Sequence, residues 1–475
     1  MLAKSNLLYE QKYHRKYIHL LMKLLLIFLY FLVVPAQLLA ADFSFHQKTG
    51  ATSGPTLLVI GGIDGDEPGG FHAAATLVTR YQIDQGELWV VPNLNSSAIL
   101  DRVRGDMNLK FAAVSKSDPQ YAPIKRIKSI ITKPQIDLVL NLHDGSGFYH
   151  PTRINSQRNP NRWGQSCVID QEKLEGTDFG QLQELATTAI QQINRKAQAT
   201  DHYFQLKNMN TASSKKEIAA KKSLSFFAVR HNKPTIAVEA SKKHPVHLRT
   251  YYHLVALESF MQQMGISFRR NFPLTPAGVE QIIEDDALIS LAEGRVQLEL
   301  NNMRPSIHSF PLPKTVAPEF TSRNPLVTLQ PAIKQYRIHY GNNRLAFLNP
   351  LYVELDRSIE GVEMLIDGVP QQVSFGSIIP VQKEFLVNSQ EGYRVNVIGF
   401  AKPDQSTDGN LPIGYDQLKK SYSIDKAGQL YRVEVYRENR FSGMVLVDFR
   451  PQSSTKESFV AHKPPVNQRT DEQLN

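Results

Sequence analysis

Three polar clusters, each at the end of an apolar run, carry the residue types from which metal sites are built. Gly61-Gly-Ile-Asp-Gly-Asp-Glu-Pro-Gly-Gly70 follows Thr56-Leu-Leu-Val-Ile60 and sets Asp64 and Glu67 three residues apart. Asn141-Leu-His-Asp-Gly-Ser-Gly147 brings His143 to the end of a second run, and Thr235-Ile-Ala-Val-Glu-Ala-Ser241 brings Glu239 to the end of a third. Two carboxylates and an imidazole are a three-ligand N/O set that holds zinc and leaves one coordination position open. A further carboxylate can then act as general base and acid on water. Each cluster alone has a plainer explanation. Asp64-Gly-Asp-Glu reads as a polar turn, a lone strand-end His as a structural group, and Glu239 as a buried paired carboxylate. Their recurrence at three strand ends is what points to chemistry. Gly145-Ser146-Gly147 lacks the G-x-S-x-G elbow and is not read as a nucleophile.

The elements that must position these residues are legible around them. Thr56–Ile60, Leu88-Trp-Val-Val91, Ile136-Asp-Leu-Val-Leu-Asn-Leu142 and Thr235–Val238 are short apolar runs, as expected of strands covered on both faces. Between them lie helical patterns, the clearest placing Leu182, Leu185, Ala186, Ala189, Ile190 and Ile193 on one face. Pro68 is suited to the first turn of a helix. Such alternation predicts an α/β domain over 42–271 with a mixed, mostly parallel sheet flanked by helices and functional loops at strand ends. Beyond it the texture changes to Pro and Asn punctuation and period-two runs. We expect a small, mostly β domain at 272–347 and an Ig-like β-sandwich at 348–450. Within the latter, Tyr431–Tyr436 and Met444–Phe449 form a hairpin. The polar tail 451–475 reads as disordered.

Composition narrows the function classes. The chain has 475 residues and one cysteine, Cys167, which excludes an intrachain disulfide and any Cys-rich zinc or iron–sulfur site. Of the net charge of +9, residues 1–41 carry +4, leaving too weak a basic balance for nucleic acid. That N-terminal stretch joins Lys12, Arg15, Lys16 and Lys23 to the apolar run Leu24–Val34 and the small-residue exit Leu39-Ala40-Ala41. The run makes roughly 16 Å of helix, about half a bilayer core. It reads as a cleaved export signal, with an uncleaved anchor as the alternative, and predicts a periplasmic protein without stable membrane insertion.

Together these residues resemble the zinc carboxypeptidase (funnelin-type) family, whose motif is G-G-x-H-x-x-E followed by a strand-end His and a late catalytic Glu. Pro92-Asn-Leu-Asn95 and Arg102-Val-Arg-Gly-Asp-Met-Asn-Leu-Lys-Phe111 look like the family's Arg … Asp-x-Asn-Arg-x-Phe segment. The run His143–Tyr149, the export signal and the trailing β modules are most similar to the peptidoglycan DL-carboxypeptidases that determine helical cell shape. The resemblance covers about 42–271. It implies one zinc on Asp64, Glu67 and His143, with Glu239 as general base. It implies Arg102 as the group polarising the scissile carbonyl, with Arg104 close behind, and Arg104 and Asn108 as partners of the substrate. Trp163 is a candidate for the pocket wall, with packing as the alternative. The implied reaction trims a peptidoglycan stem tripeptide to a dipeptide and releases meso-diaminopimelate. The β modules are candidate protein-binding surfaces.

Two departures matter. Asp64 stands where most of the family has a His, and Leu109 where it has a carboxylate-gripping Arg. Asp, Glu and neutral His around Zn²⁺ sum to zero formal charge, so bound water should be less acidic than with two His and one Glu. An N-acyl amino-acid hydrolase of the desuccinylase/aspartoacylase type and a catalytically decayed wall-binding scaffold are the alternatives. The signal and β modules count against the first, and retention of Glu67, His143 and Glu239 against the second.

Overall fold

The structure, a computed structural model, describes residues 43–215, 218–314, 318–401 and 406–451. The segment read as an export signal and, Pro451 apart, the polar tail lie outside the described residues. The four apolar runs of the first half all become strands of one eight-stranded sheet, each longer than its run: Thr52–Ile60, Tyr81–Val91, Leu138–Gly145 and Thr235–Ser241. Tyr81–Val91, Thr52–Ile60, Leu138–Gly145 and Thr235–Ser241 lie side by side in that order, all parallel. His46–Thr49 and Ser267–Arg270 close one edge antiparallel, and Ser166–Ile169 with Gln205–Asn208 extend the other.

Alternate residues of each strand feed different cores. Leu57 and Val59 join Ala73, Leu182 and Tyr252 from the helices Pro68–Arg80, Leu182–Arg195 and Val246–Met264. Leu58 and Ile60 join Ile124, Ile127 and Leu224 from Tyr121–Ile131 and Leu224–Arg230 on the opposite face. Each of the Leu, Ile and Val side chains among them, fully removed from water, contributes about 1.5–3 kcal/mol. This two-faced burial is why the strands lack polar alternation.

The fold class is the expected one, an α/β domain followed by β-rich modules, but the parts are more interlocked than local pattern suggests. Pro276–Asp285, in the segment expected to be mostly β, is a helix. Thr275 Oγ1 accepts from Gly278 N, Pro276 opens the first turn, and Val279 and Ile282 enter the core of the α/β domain. The expected division at 347/348 falls inside the strand Asn343–Leu355. That strand pairs with Gln335–Tyr340 near its start and with Arg440–Asp448 at its end, so one sheet runs through both β modules. The expected hairpin is present as Leu430–Arg437 and Arg440–Asp448. Its odd residues Val433 and Val435 face the sandwich core, while Leu430 and Tyr436 face the core of the preceding module. That second core also takes in Phe71 and Ala75, from the helix that follows the Asp64–Glu67 loop.

Candidate metal centre

The loop after Thr52–Ile60 delivers Asp64 and then Glu67, the N-cap residue of Pro68–Arg80, with Pro68 at the first helical position as expected. The Glu67 carboxylate makes no capping bond and is free to face the sheet. Two glycines let it do so. A Cβ on Gly69 would lie 2.5 Å from Asp144 Oδ1, and one on Gly70 2.8 Å from the Leu142 carbonyl oxygen. Only without side chains can this helical turn rest on the strand that bears His143. His143 and Glu239 are register partners on adjacent parallel strands and therefore share a face.

The result is a convergence of three ligand atoms, all within 4.8 Å of one another, from Asp64, Glu67 and His143. Glu67 Oε2 lies 2.8 Å from His143 Nδ1, and Asp64 Oδ2 lies 3.4 Å from the same nitrogen. The three residues are only 2, 6 and 6 % exposed, and Glu239 beside them 8 %. Among the described residues, none makes a hydrogen bond to the buried Asp64 Oδ2. A carboxylate oxygen left so is costly unless a cation meets it. The Asn141 side-chain amide, 2.8 Å from His143 Nε2, holds the other edge of the ring and directs Nδ1 at the two carboxylates. The donor set and its orphaned oxygen fit a divalent metal ion.

Electrostatics agree with that fit. Burial raises Glu67, against the pull of His143. Burial alone would lower His143, but Glu67, Asp64 and Glu239 outweigh it and hold the imidazole well above its ordinary value. In the metal-free protein a proton on His143 thus balances the acidic cluster. Burial pushes Glu239 up to about 8, with His143 opposing and Glu67, Asp64 and Asp144 adding.

The remaining expected residues divide. Arg104 Nε lies 3.8 Å from Asp64 Oδ2, on an otherwise largely exposed side chain, so it stands beside the ligand cluster. Arg102 does not. Its backbone is left-handed (φ 58°), and its guanidinium donates to the Asn342 carbonyl oxygen and to Asn343 Oδ1 of the next module. In this structure the side chain ties two modules together, whereas Arg104 is the guanidinium beside Asp64. Asn108 Oδ1 accepts from Leu224 N at 3.0 Å, at the first residue of a helix. Leu109 is exposed. Trp163 is half-buried, with Lys207 Nζ 3.9 Å from its ring centre. It packs against the end of His143's strand, where a Cβ on Gly145 would meet Trp163 Cβ at 2.6 Å. Cys167 is a buried free thiol pushed up to about 12, consistent with an inert side chain.

Several further residues support the site. Lys242 Nζ reaches Asp66 Oδ2 at 2.6 Å and Glu67 Oε1 at 3.4 Å. Asn342 Nδ2 donates to the Gly65 carbonyl oxygen, bracing the ligand loop from the second module. Asp144 accepts from Gly69 N and Arg249 Nη1 and pairs with His253, fastening the helices at 68–80 and 246–264 behind the site. Asp144 directly follows His143 and Lys242 lies three residues after Glu239, the one signal available for either. Asn342 has none, because nothing local announces a contact 277 residues away.

The comparisons with known proteins converge on one group. A family profile described as the catalytic part of carboxypeptidases controlling helical cell shape matches residues 16–284. A second, described as the C-terminal domain of metallo-carboxypeptidases, matches residues 355–450. Among solved structures, the apo form of the cell shape determinant protein Csd4 from Helicobacter pylori is 36% identical, with a TM-score of 0.76, over 86% of this chain and 100% of its own. The tripeptide-bound form of that protein is 37% identical with the same TM-score and the same coverage of both chains. Its mDAP-bound form, described as a D,L-carboxypeptidase, is 37% identical at 0.76 over 85% of this chain and 99% of its own. No curated protein matches the chain.

Proposed function

Because the chain belongs to the family of carboxypeptidases controlling helical cell shape, we propose that it trims the peptidoglycan stem tripeptide L-Ala-γ-D-Glu-meso-diaminopimelate to the dipeptide, releasing diaminopimelate, in the periplasm and with zinc as its metal. The observation that carries this is the convergence of Asp64, Glu67 and His143 beside a buried Glu239. Tripeptide-bound and mDAP-bound forms of the Helicobacter pylori relative support the choice of substrate. The basic and apolar N-terminal stretch supports export.

Asp64, Glu67 and His143 would hold the ion. When bound, it would supply Lewis acidity toward a carbonyl and toward water, less strongly in a shell of zero formal charge than in one with a second His. Glu239 takes a proton from the attacking water and delivers it to the leaving amine nitrogen of diaminopimelate. The charge of a bound cation would favour the ionised form of Glu239, the form that accepts the proton from water. Arg104, with its guanidinium beside Asp64, stabilises the oxygen on which charge develops. The amide nitrogen of Asn108 and the Trp163 loop are left to contact the departing residue. The direct test is incubation of the purified protein with defined muropeptides, with and without a chelator. Mass analysis should show chelator-sensitive release of diaminopimelate from the tripeptide.

Two variants probe the assignments within that reading. Arg104→Ala is expected to lower kcat/KM on the tripeptide by about 10²-fold, the scale of losing one donor to developing charge. Arg102→Ala should stay within a few-fold of wild type. The reverse ranking returns the carbonyl to Arg102. In Asp64→His, the acid limb of the kcat/KM profile should move to lower pH, because an imidazole returns one positive charge to the centre. Coincident limbs in two fully metal-loaded proteins would remove Asp64 from the ligand set or assign the limb to Glu239, and a metal-loaded structure separates these outcomes.

A further inference from the structure

The hairpin tip between Gln335–Tyr340 and Asn343–Leu355 reaches from the second module to the loop that carries Asp64 and Glu67. Its approach leaves no room for a side chain. A Cβ on Gly341, whose φ is +55°, would lie 2.7 Å from Phe71 Cε2 and 3.4 Å from His72 Nε2, in the helix that follows Glu67. The Tyr340 ring meets His72 edge-on, 5.1 Å between centres. Asn342, next in the tip, donates from Nδ2 to the carbonyl oxygen of Gly65 at 3.2 Å. Gly65 is buried and lies between the two ligand carboxylates in the chain.

The carbonyl groups ahead of Asp64 are held from within the first domain. Gly61 O accepts from Leu94 N, and Asn95 serves Gly62 O through its backbone and Ile63 O through its side chain. After Asp64 that support thins. Gly65 N reaches the Arg104 carbonyl oxygen only at 3.4 Å, and the Gly65 carbonyl is met by Asn342 of the other module. A Cβ on Gly65 would lie 2.1 Å from the Ala98 carbonyl group, so the turn already rests on the backbone of Ser96–Asp101. A buried carbonyl oxygen requires a partner. Without Asn342, turning the Gly65 peptide to find one changes the chain path from Asp64 to Glu67, and with it the spacing of their ligand oxygens. We infer that Asn342 is a positioning residue for the metal: the second module completes the centre by locking the loop between two of its ligands. Metal binding and the seating of that module on the first domain are then coupled, each strengthening the other. The inference rests on the ligand set Asp64, Glu67 and His143, and not on the substrate proposed above.

The test is calorimetric titration of the metal-free full chain with zinc. Asn342→Ala should bind about tenfold more weakly, the lower end of the loss that follows removal of a partner outside the ligand shell. Asn343→Ala is the control. It removes a bond of the same turn, the one that Asn343 Oδ1 accepts from the Arg102 side chain, and its zinc affinity should match the wild type. The coupling has a second readout. Zinc should slow amide hydrogen exchange at 341–343 in the wild type, and this protection should shrink in Asn342→Ala. Unchanged zinc affinity in Asn342→Ala, an equal loss in Asn343→Ala, or exchange at the turn indifferent to zinc overturns the inference. Because zinc alone is the probe, failure of the tripeptide to turn over leaves these readouts intact, so the two proposals fail separately.

Discussion

Glu239→Gln is expected to lose about 10²–10⁴-fold in kcat on a stem tripeptide, the range associated with a positioned proton-transfer group. Bound metal and KM should hold, because Gln keeps the shape of the side chain and Glu239 lies outside the convergent ligand set. Near-normal turnover would remove it from the mechanism. The same variant carries a signature independent of activity. The Glu239 proton is held up to about 8 in the metal-free folded protein, against an ordinary 4.5. Between those values the unfolded chain releases a proton that the folded chain keeps, so this group's contribution to stability falls as pH rises. Below the lower value the contribution is complete; above the upper one it is gone. Chelator-treated Glu239→Gln should therefore gain in Tm over chelator-treated wild type as pH is raised from 5 to 8. A constant Tm difference would show that Glu239 is not held protonated.

His143→Ala is expected to abolish stoichiometric metal binding after dialysis. The loss in affinity should exceed the about 10–100-fold that follows removal of an outer-shell partner. The proton balance supplies a second measure. With His143 held protonated by the carboxylates around it, metal uptake by the wild type must displace that proton, and affinity should weaken as pH falls. Calorimetry in two buffers of different ionisation heat should find proton release in the wild type. Full metal retention by His143→Ala would exclude this ligand set.

The four central residues were legible because each lies at or just beyond the end of a short, largely apolar run, and in a parallel sheet the strand ends are where loops meet. The choice between Arg102 and Arg104 was not. Both lie in an irregular segment where Arg102 and Gly105 adopt left-handed backbone conformations, so spacing in sequence says nothing about which guanidinium turns toward Asp64. Asn108 likewise matched a substrate-gripping pattern, yet its carbonyl oxygen serves a helix that begins 116 residues later.

The sequence by itself determined the α/β class, the strands that bear the site, the hairpin near the C-terminus, and the identity of the residues that converge. These follow from local periodicity and from chemistry that few residue types can perform. Only the tertiary structure decided how the parts press on one another. Asn342 of the second module holds the loop between two ligands, Phe71 beside that loop completes the second module's core, and one strand runs through both β modules. The same holds for Arg432 and Glu434. Alternation placed them on the polar side of a strand, as if facing water, but the preceding module covers that side and buries both. Period-two pattern reports which face a side chain occupies. What lies across that face is set by long-range packing.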